Sequence, residues 1–259
     1  MLFSVSIDMN PLAFDNRVAL VTGASTGIGA ATAIQLGTCG VKVAINYNKS
    51  AKQAEEVARK VKTAGGNGLL LQADVSQLDQ VNKMVKRAVQ EFGKIDILVN
   101  NAGGIVKRVP LTDMDDALWN ATMDLNLRSV FYCSKAVIPL MIQGRYGRIV
   151  NVSSVAAFTG GGRHATAYAT AKAGLHGFTK GLAKELAPFG ITVNVVAPGL
   201  IDTPFHLKAE TGAFEQFMPG IPLKRAGTAD EVASLISYLA SDGAGYSTGT
   251  VFNVNGGMY

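Results

Sequence analysis

The sequence predicts an α/β fold in which one doubly wound parallel sheet of about seven strands is covered by helices on both faces. Short runs rich in β-branched residues alternate with longer segments of helical periodicity along nearly the whole chain. Several of these runs are apolar without strict alternation, which is typical of strands buried on both faces. A glycine-rich turn links the first run to the first helical segment, and glycine permits the tight reversal that this connection needs.

Seven runs are predicted to be strands: RVALVTG, VKVAINY, NGLLLQAD, IDILVNN, GRIVNVSS, ITVNVVAP and TVFNVNGG. Helices are expected between them near residues 27–38, 50–64, 77–92, 113–142, 167–187 and 228–240. The segment 200–227 breaks this rhythm, because it contains Pro204, Pro219 and Pro222 together with Gly212 and Gly220 and shows no clear strand. We expect it to be an excursion over the sheet edge that serves as a substrate lid.

The composition limits the class of protein. The chain has 259 residues, of which 48% are hydrophobic and 17% charged, enough for one large core and too apolar for disorder. Its net charge of +5 comes from basic residues scattered among acids, as on solvated helix faces, so we expect no nucleic-acid partner. No run approaches the length of about 18 apolar residues that a membrane span needs. With only Cys39 and Cys133 there is no disulfide framework, which favours the reducing cytoplasm.

The glycine-rich turn after the first strand is the first candidate site. Free N–H groups and the helix dipole at such a turn attract a phosphate, although glycine turns also occur for structural reasons. The spacing here is G-x-x-x-G-x-G rather than G-x-G-x-x-G. Taken alone, the turn leaves both interpretations open. Its candidate pyrophosphate-binding residues are Gly23, Ser25, Thr26, Gly27, Ile28 and Gly29.

Four motifs in this order resemble the short-chain dehydrogenase/reductase family. They are the glycine turn that begins at Thr22, Asn100-Asn101-Ala102-Gly103, Tyr168-x-x-x-Lys172, and Pro198-Gly199. The resemblance covers the chain from about residue 16 to its end. Within the family, the motifs are similar to those of 3-oxoacyl-acyl-carrier-protein reductases and glucose dehydrogenases. It implies a Rossmann-like fold with a nicotinamide cofactor lying across the carboxyl ends of the strands. Residues 1–15 would then be an N-terminal arm, and 16–259 a single dinucleotide-binding catalytic domain.

The resemblance also assigns the remaining cofactor contacts. Asp74 and Val75 match the position at the adenine ring, although Asp74 also reads as a helix N-cap. The turn of Asn101, Ala102 and Gly103 borders the cofactor. The nicotinamide carboxamide is expected to meet the segment after the sixth strand, namely Pro198, Gly199, Ile201 and Thr203.

The end of the second strand indicates which nicotinamide cofactor is used. An acid usually stands there in NAD-preferring sites to bind the ribose 2′-OH, but this chain has Asn48, Lys49 and Ser50. These residues can donate hydrogen bonds and charge to a 2′-phosphate, which favours NADP(H) over NAD(H). NADP-preferring relatives often have a basic residue where this chain has Thr26, and Lys49 also reads as the solvent end of a helix.

Tyr168 and Lys172 are the predicted centre of the chemistry. Four residues apart on a helix, they project from one face and can act together, although an ordinary helix shows such pairs too. An ammonium close to a tyrosine lowers its pKa, which we expect of Lys172. By resemblance, Lys172 also binds the nicotinamide ribose, and Tyr168 is the general acid or base.

Ser154 and Asn126 are predicted to complete the catalytic group. The family's serine commonly stands thirteen residues before the tyrosine, but that position here is Val155. We therefore assign the role to Ser154 at the end of NVSS, with Ser153 as the alternative. Asn126 matches the residue that supports a water relay to the lysine, and its alternative is a satisfied core amide.

The sequence thus predicts a ketone reductase of the 3-ketoacyl type. An NAD-dependent polyol, sugar or secondary-alcohol dehydrogenase and a catalytically inactive nucleotide-binding scaffold are the alternatives. No metal is expected, because His164, His176 and His206 lack the spacing of metal ligands. The resemblance implies a homo-oligomer, often a tetramer, with the long helices and the C-terminal segment at interfaces.

Overall fold

A computed structural model describes residues 14, 16–204 and 217–259. Seven parallel strands form the main sheet in the order β3-β2-β1-β4-β5-β6-β9. The chain winds outward from β1 in both directions, which confirms the predicted doubly wound fold. The strands are β1 (Val18–Val21), β2 (Lys42–Tyr47), β3 (Asn67–Gln72), β4 (Ile97–Asn100), β5 (Gly147–Val152), β6 (Ile191–Pro198) and β9 (Val251–Val254).

The helices follow the predicted periodic segments with two corrections, one of which is the short helix α6 (Ala156–Thr159), where no helix was predicted. The helix expected over 113–142 is divided into α4, a π-helical turn over Asp124–Arg128, and α5, and Pro139 lies inside α5. The helices are α1 (Gly27–Thr38), α2 (Ala51–Thr63), α3 (Leu78–Phe92), α4 (Asp116–Met123), α5 (Ser129–Gly144), the short α6 (Ala156–Thr159), α7 (Thr166–Leu186) and α8 (Ala229–Ala240).

Alternate residues of the strands enter two different cores. Ala19 and Val21 belong to the cluster on the face that carries α1 and α8, whereas Leu20 belongs to the cluster with α3 and α5. Both faces are buried, so the strands need apolar side chains at successive positions. This explains why the sequence shows apolar runs instead of alternation.

The segment after β6 differs from the prediction. Two short strands, β7 (Ile201–Asp202) and β8 (Gly227–Thr228), pair in parallel where no strand was expected. A two-residue ladder is too short to produce a recognisable pattern in the sequence. Residues 205–216 of the predicted lid, including His206, lie outside the described residues, as does the N-terminal arm apart from Phe14.

A line of buried amides connects the central strands to α7. Asn100 Nδ2 donates to Asn151 Oδ1 over 2.8 Å, and Asn151 Nδ2 donates to Thr179 Oγ1 over 2.8 Å. Buried polar groups that lose a partner are costly, so this line fixes α7 against β5. In the described part of the chain, no helix combines the length and apolar character needed to cross a membrane.

Candidate active site

The glycine turn is fastened to the end of β4. Asn101 Nδ2 donates to the carbonyl oxygens of Thr22 and Gly23 over 2.9 and 3.1 Å, and the Asn101 and Ala102 amides donate to Thr22 Oγ1 over 3.0 Å. A Cβ at Gly29 would lie 2.4 Å from Asn101 Nδ2 and 2.5 Å from the Gly23 oxygen. Gly29 therefore has to be glycine, because the backbone passes too close for any side chain.

Asn46 fastens the same turn to the second and third strands, a role that sequence reasoning missed. Its Oδ1 accepts from the Gly23 amide over 3.1 Å, and its Nδ2 donates to the carbonyls of Leu71 and Ala73 over 3.2 and 3.1 Å. The signal was an amide side chain at the end of an otherwise apolar strand. Such a buried amide needs several partners, and the turn and the neighbouring strand supply them.

The turn leaves a cradle that fits a dinucleotide phosphate. Gly23 and Gly27 have positive φ angles of 60° and 56°, which glycine adopts readily. Thr26 precedes α1 in an extended conformation, no side chain caps the helix, and its first turn contains no acid. The first amides of α1 and its dipole are thus available to an anion beside Ser25 and Ile28.

The predicted nicotinamide segment lies against this cradle. Thr203 is buried, and its Cβ lies 3.4 Å from the position of a Cβ on Gly27. The Pro198 carbonyl accepts from the Val155 amide over 2.8 Å, and the Gly199 amide donates to Val254. The end of β6 and its following residues, including Ile201 in β7, are therefore held beside the end of β5.

The residues predicted to bind the adenosine half lie at the ends of β2 and β3. Asn48 and Lys49 are exposed, and neither Lys49 nor the Ser50 hydroxyl has an ion-pair or hydrogen-bond partner among the described residues. Asp74 Oδ1 accepts from the Ser76 amide and hydroxyl over 3.0 and 2.7 Å. Because α3 begins only at Leu78, Asp74 forms a local turn and is not the N-cap.

Lys172 is buried beneath the cradle with 4% of its surface exposed. Its Nζ donates to the Val152 carbonyl at the end of β5 over 2.8 Å. Burial lowers the pKa of Lys172 to about 8, because an ammonium loses hydration inside the protein. A Cβ on Gly103 would lie 2.9 Å from this Nζ, so the absence of a side chain there leaves room for the lysine.

The electrostatics of Tyr168 differ from the expectation. Burial raises the pKa of Tyr168, and the opposing influences are a hydrogen bond with Ser154 and the charge of Arg108. Lys172 is not among the groups that lower the pKa of Tyr168. Its Nζ lies 5.8 Å from the centre of the Tyr168 ring. Tyr168 is consequently a neutral phenol at pH 7, equipped to donate a proton.

The two serines at the end of β5 have separate surroundings. Ser153 is buried, and its Oγ donates to the Lys172 carbonyl over 2.9 Å. Ser154 Oγ accepts from the Ala156 amide over 3.1 Å and is hydrogen-bonded to Tyr168. Only Ser154 therefore presents its hydroxyl beside the Tyr168 hydroxyl, which supports the assignment made from the sequence.

Asn126 occupies the π-helical turn between α4 and α5 and is fully buried. Its Oδ1 accepts from the Gly104 amide and its Nδ2 donates to the Gly104 carbonyl, each over 2.9 Å. A Cβ on Gly103 would lie 2.8 Å from Asn126 Oδ1 and 2.9 Å from Lys172 Nζ. The structure thus brings Asn126 and Lys172 to the same glycine, and π-helical turns are frequent at functional sites.

Two loops flank Tyr168 on its open side. Arg108 Nη1 donates to the Arg163 carbonyl over 2.9 Å, and Phe217 Cζ would lie 2.9 Å from a Cβ on Gly162. His164 has a φ of 60° in this loop, a left-handed conformation that is uncommon outside glycine. Sequence reasoning did not identify Arg108. Within the described residues, no three His, Cys, Asp or Glu side chains cluster as metal ligands.

Comparisons with known proteins agree over most of the chain. A family model described as enoyl-(acyl carrier protein) reductase matches residues 23–259. A 3-oxoacyl-[acyl-carrier-protein] reductase of Synechocystis is 47% identical over 243 residues, which are 93% of this chain and 96% of that protein. A short-chain dehydrogenase of Burkholderia cenocepacia in complex with NADP has a TM-score of 0.88 and 36% identity, covering 96% of this chain and 99% of that one. An NADH-dependent reductase responsible for alginate metabolism has a TM-score of 0.86 and 36% identity, covering 94% and 97%.

The substitution Gly29→Ala tests the cradle. The new methyl group would overlap the Gly23 carbonyl and displace the turn, so we expect dinucleotide affinity to fall by about 100-fold or more. Titration of nicotinamide fluorescence measures this. Gly181→Ala on α7 is the matched control, because nothing lies within 4 Å of that position. Unchanged affinity in a folded Gly29→Ala variant would exclude the turn as the phosphate site.

Proposed function

Because the chain belongs to the short-chain dehydrogenase/reductase family of oxidoreductases, we propose that it is an NADP(H)-dependent carbonyl reductase of the 3-ketoacyl type. The observation that carries the proposal is the pair of Tyr168 and Ser154. The Ser154 hydroxyl acts on Tyr168 by a hydrogen bond that lowers its pKa, whereas burial raises that pKa, and the phenol is protonated at neutral pH. A proton donor beside a hydroxyl suited to hold a carbonyl oxygen favours ketone reduction.

The side chains have distinct roles in this reaction. A bound nicotinamide supplies the hydride that reduces the carbonyl carbon. Ser154 accepts from the Ala156 amide and donates to Tyr168, and the same hydroxyl hydrogen can turn to a substrate oxygen that lies beside both groups. Tyr168 transfers its phenolic proton to that oxygen, and the ketone becomes a secondary alcohol. Lys172 places a positive charge where the ribose hydroxyls are expected, and Asn126 holds the backbone of Gly104 beside it.

The preference for NADP(H) rests on the end of β2. This segment offers hydrogen-bond donors and one positive charge to a 2′-phosphate, through Asn48, Lys49 and Ser50. It contains no carboxylate that would repel the phosphate. The Burkholderia relative was solved with NADP, whereas the alginate enzyme is NADH-dependent, so family membership alone leaves the choice open. The exposed Lys49 ammonium favours the cofactor that carries the extra phosphate.

Assembly and location belong to the same proposal. We propose a homo-oligomer, in the form of a tetramer, that works in the cytoplasm. The exposed aromatic side chain of Phe131 on α5 supports an interface on the long helices, since 44% of it is in contact with solvent.

Turnover tests the proposed reaction. With NADPH, 3-ketoacyl thioesters or simple 3-ketoesters are expected to be reduced, and absorbance at the nicotinamide band follows the rate. Tyr168→Phe removes the proton donor and should lower kcat by about 100-fold to 10,000-fold. Ser154→Ala should cost about 100-fold or more, and Ser153→Ala about tenfold. A fully active Ser154→Ala enzyme with an inactive Ser153→Ala variant would reverse the assignment of the serines.

The cofactor preference is tested with Lys49→Met. We expect wild-type kcat/KM to be at least about tenfold higher with NADPH than with NADH, and the variant to lose about tenfold with NADPH alone, since one phosphate contact is removed. Lys83→Met, on the exposed face of α3, removes the same charge far from the turn and should keep the preference. A tenfold wild-type preference for NADH would contradict the proposal.

The pH dependence follows from Lys172. Its pKa of about 8 means that the ammonium is present below pH 8 and is lost above it. The pKa of Tyr168 is raised, so the phenol keeps its proton through this range. At saturating NADPH and ketone, kcat for reduction should therefore decline as pH rises through about 8. A rate that stays constant to pH 10 would show that the Lys172 charge is not needed.

A further inference from the structure

His176 lies one helical turn beyond Lys172 on α7 and contacts the end of β5. Its Nε2 is 3.0 Å from Ser153 Oγ, and the same Oγ is 2.9 Å from the Lys172 carbonyl oxygen. A carbonyl only accepts, so the single hydroxyl hydrogen of Ser153 points to Lys172. His176 must then be the donor in its contact with Ser153, which fixes the tautomer with hydrogen on Nε2.

The imidazole is held in this orientation from its other side. The Phe158 ring lies 4.9 Å from the His176 ring, and Tyr259 stacks on Phe158 at 4.3 Å. Phe158 belongs to α6, which begins two residues after Ser154. Burial and the neighbouring Lys180 lower the pKa of His176, so the ring is neutral at pH 7 and carries one hydrogen.

We propose that His176 is a positioning residue for the reaction and acts through Ser153 on the placement of Ser154 against Tyr168. Ser153 and Ser154 are consecutive, and Tyr168 and Lys172 share one face of α7. The bonds from His176 to Ser153 and from Ser153 to Lys172 therefore fix the spacing between the strand end and the helix face. This inference rests on the proposed function, because it concerns the geometry of that same reaction.

The spacing matters because proton donation from Tyr168 depends on a short contact to an oxygen held by Ser154. Hydroxyl groups displaced by about 1 Å can cost up to about 100-fold in rate. Without the His176 donor, the Ser153 hydroxyl is free to rotate away from the Lys172 carbonyl. One of the bonds that join β5 to α7 next to the reacting groups is then lost.

The test compares His176→Leu with His176→Gln. Leucine keeps the packing on Phe158 without the donor, so kcat should fall about tenfold while KM for NADPH stays within about twofold. The glutamine amide supplies a donor near the position of Nε2 and should restore kcat to within about threefold of wild type. The double variant Ser153→Ala/His176→Leu should be no slower than the slower of the two single variants. Both substitutions remove the same connection between β5 and α7.

Thr179→Val is the matched control. It breaks the bond from Asn151 to α7 one turn farther from the site, so it should lower the unfolding midpoint but leave kcat within about twofold. An equal fall of kcat in Thr179→Val, or additive losses in the double variant, would overturn the positioning role. A wild-type rate in the His176→Leu variant would overturn the positioning role but not the proposed function. A wild type without turnover on any ketone would overturn both this role and the proposed function.

Discussion

The buried ammonium of Lys172 is the constraint on which the rest of the site depends. The ammonium loses contact with water and donates a hydrogen bond to the backbone carbonyl of Val152. Burying a charge without a full set of hydrogen-bond partners costs free energy, and this cost lowers the pKa of Lys172 to about 8. The lysine is tolerated because Gly103 has no side chain, because Asn126 shapes the adjoining backbone, and because β5 ends where its carbonyl is needed.

A second constraint explains the amides at the carboxyl ends of the strands. A nucleotide site needs open backbone at these ends, yet adjoining turns would move without a fixed connection. Asn46 and Asn101 solve this by bonding to backbone groups of neighbouring strands, not to one another. Backbone partners do not depend on the identity of other side chains, so the fold itself holds the turn in place.

The fold and the order of the motifs were predictable from the sequence because they rest on local patterns. Buried parallel strands produce apolar runs, and helices produce a period of 3.6 residues, so six helical segments and seven strands were located. The π-helical turn at Asn126 was not predicted, because one inserted residue does not disturb the apolar periodicity of the helix. The β7 and β8 pair escaped notice because two residues form no pattern.

Site chemistry was harder to predict because it depends on distances in space. That Tyr168 and Lys172 share a helix face follows from their spacing, but the pKa of Tyr168 follows from the loss of hydration around its hydroxyl. Its opposing charge comes from Arg108, sixty residues earlier in the chain. The choice between Ser153 and Ser154 likewise required knowing which hydroxyl faces Lys172 and His176. No sequence period reports such a contact.

The protonation state of the site follows from the balance between these two titrating groups. A tyrosine with its pKa lowered by an adjacent ammonium would serve equally as an acid and as a base. In this chain desolvation acts on both groups in opposite senses, raising the pKa of the phenol and lowering that of the ammonium. At pH 7 the phenol therefore keeps its proton, and Lys172, with a pKa of about 8, keeps its charge. Burial thus leaves a protonated phenol near an ammonium at neutral pH, and this is the state from which Tyr168 can donate a proton to a carbonyl oxygen.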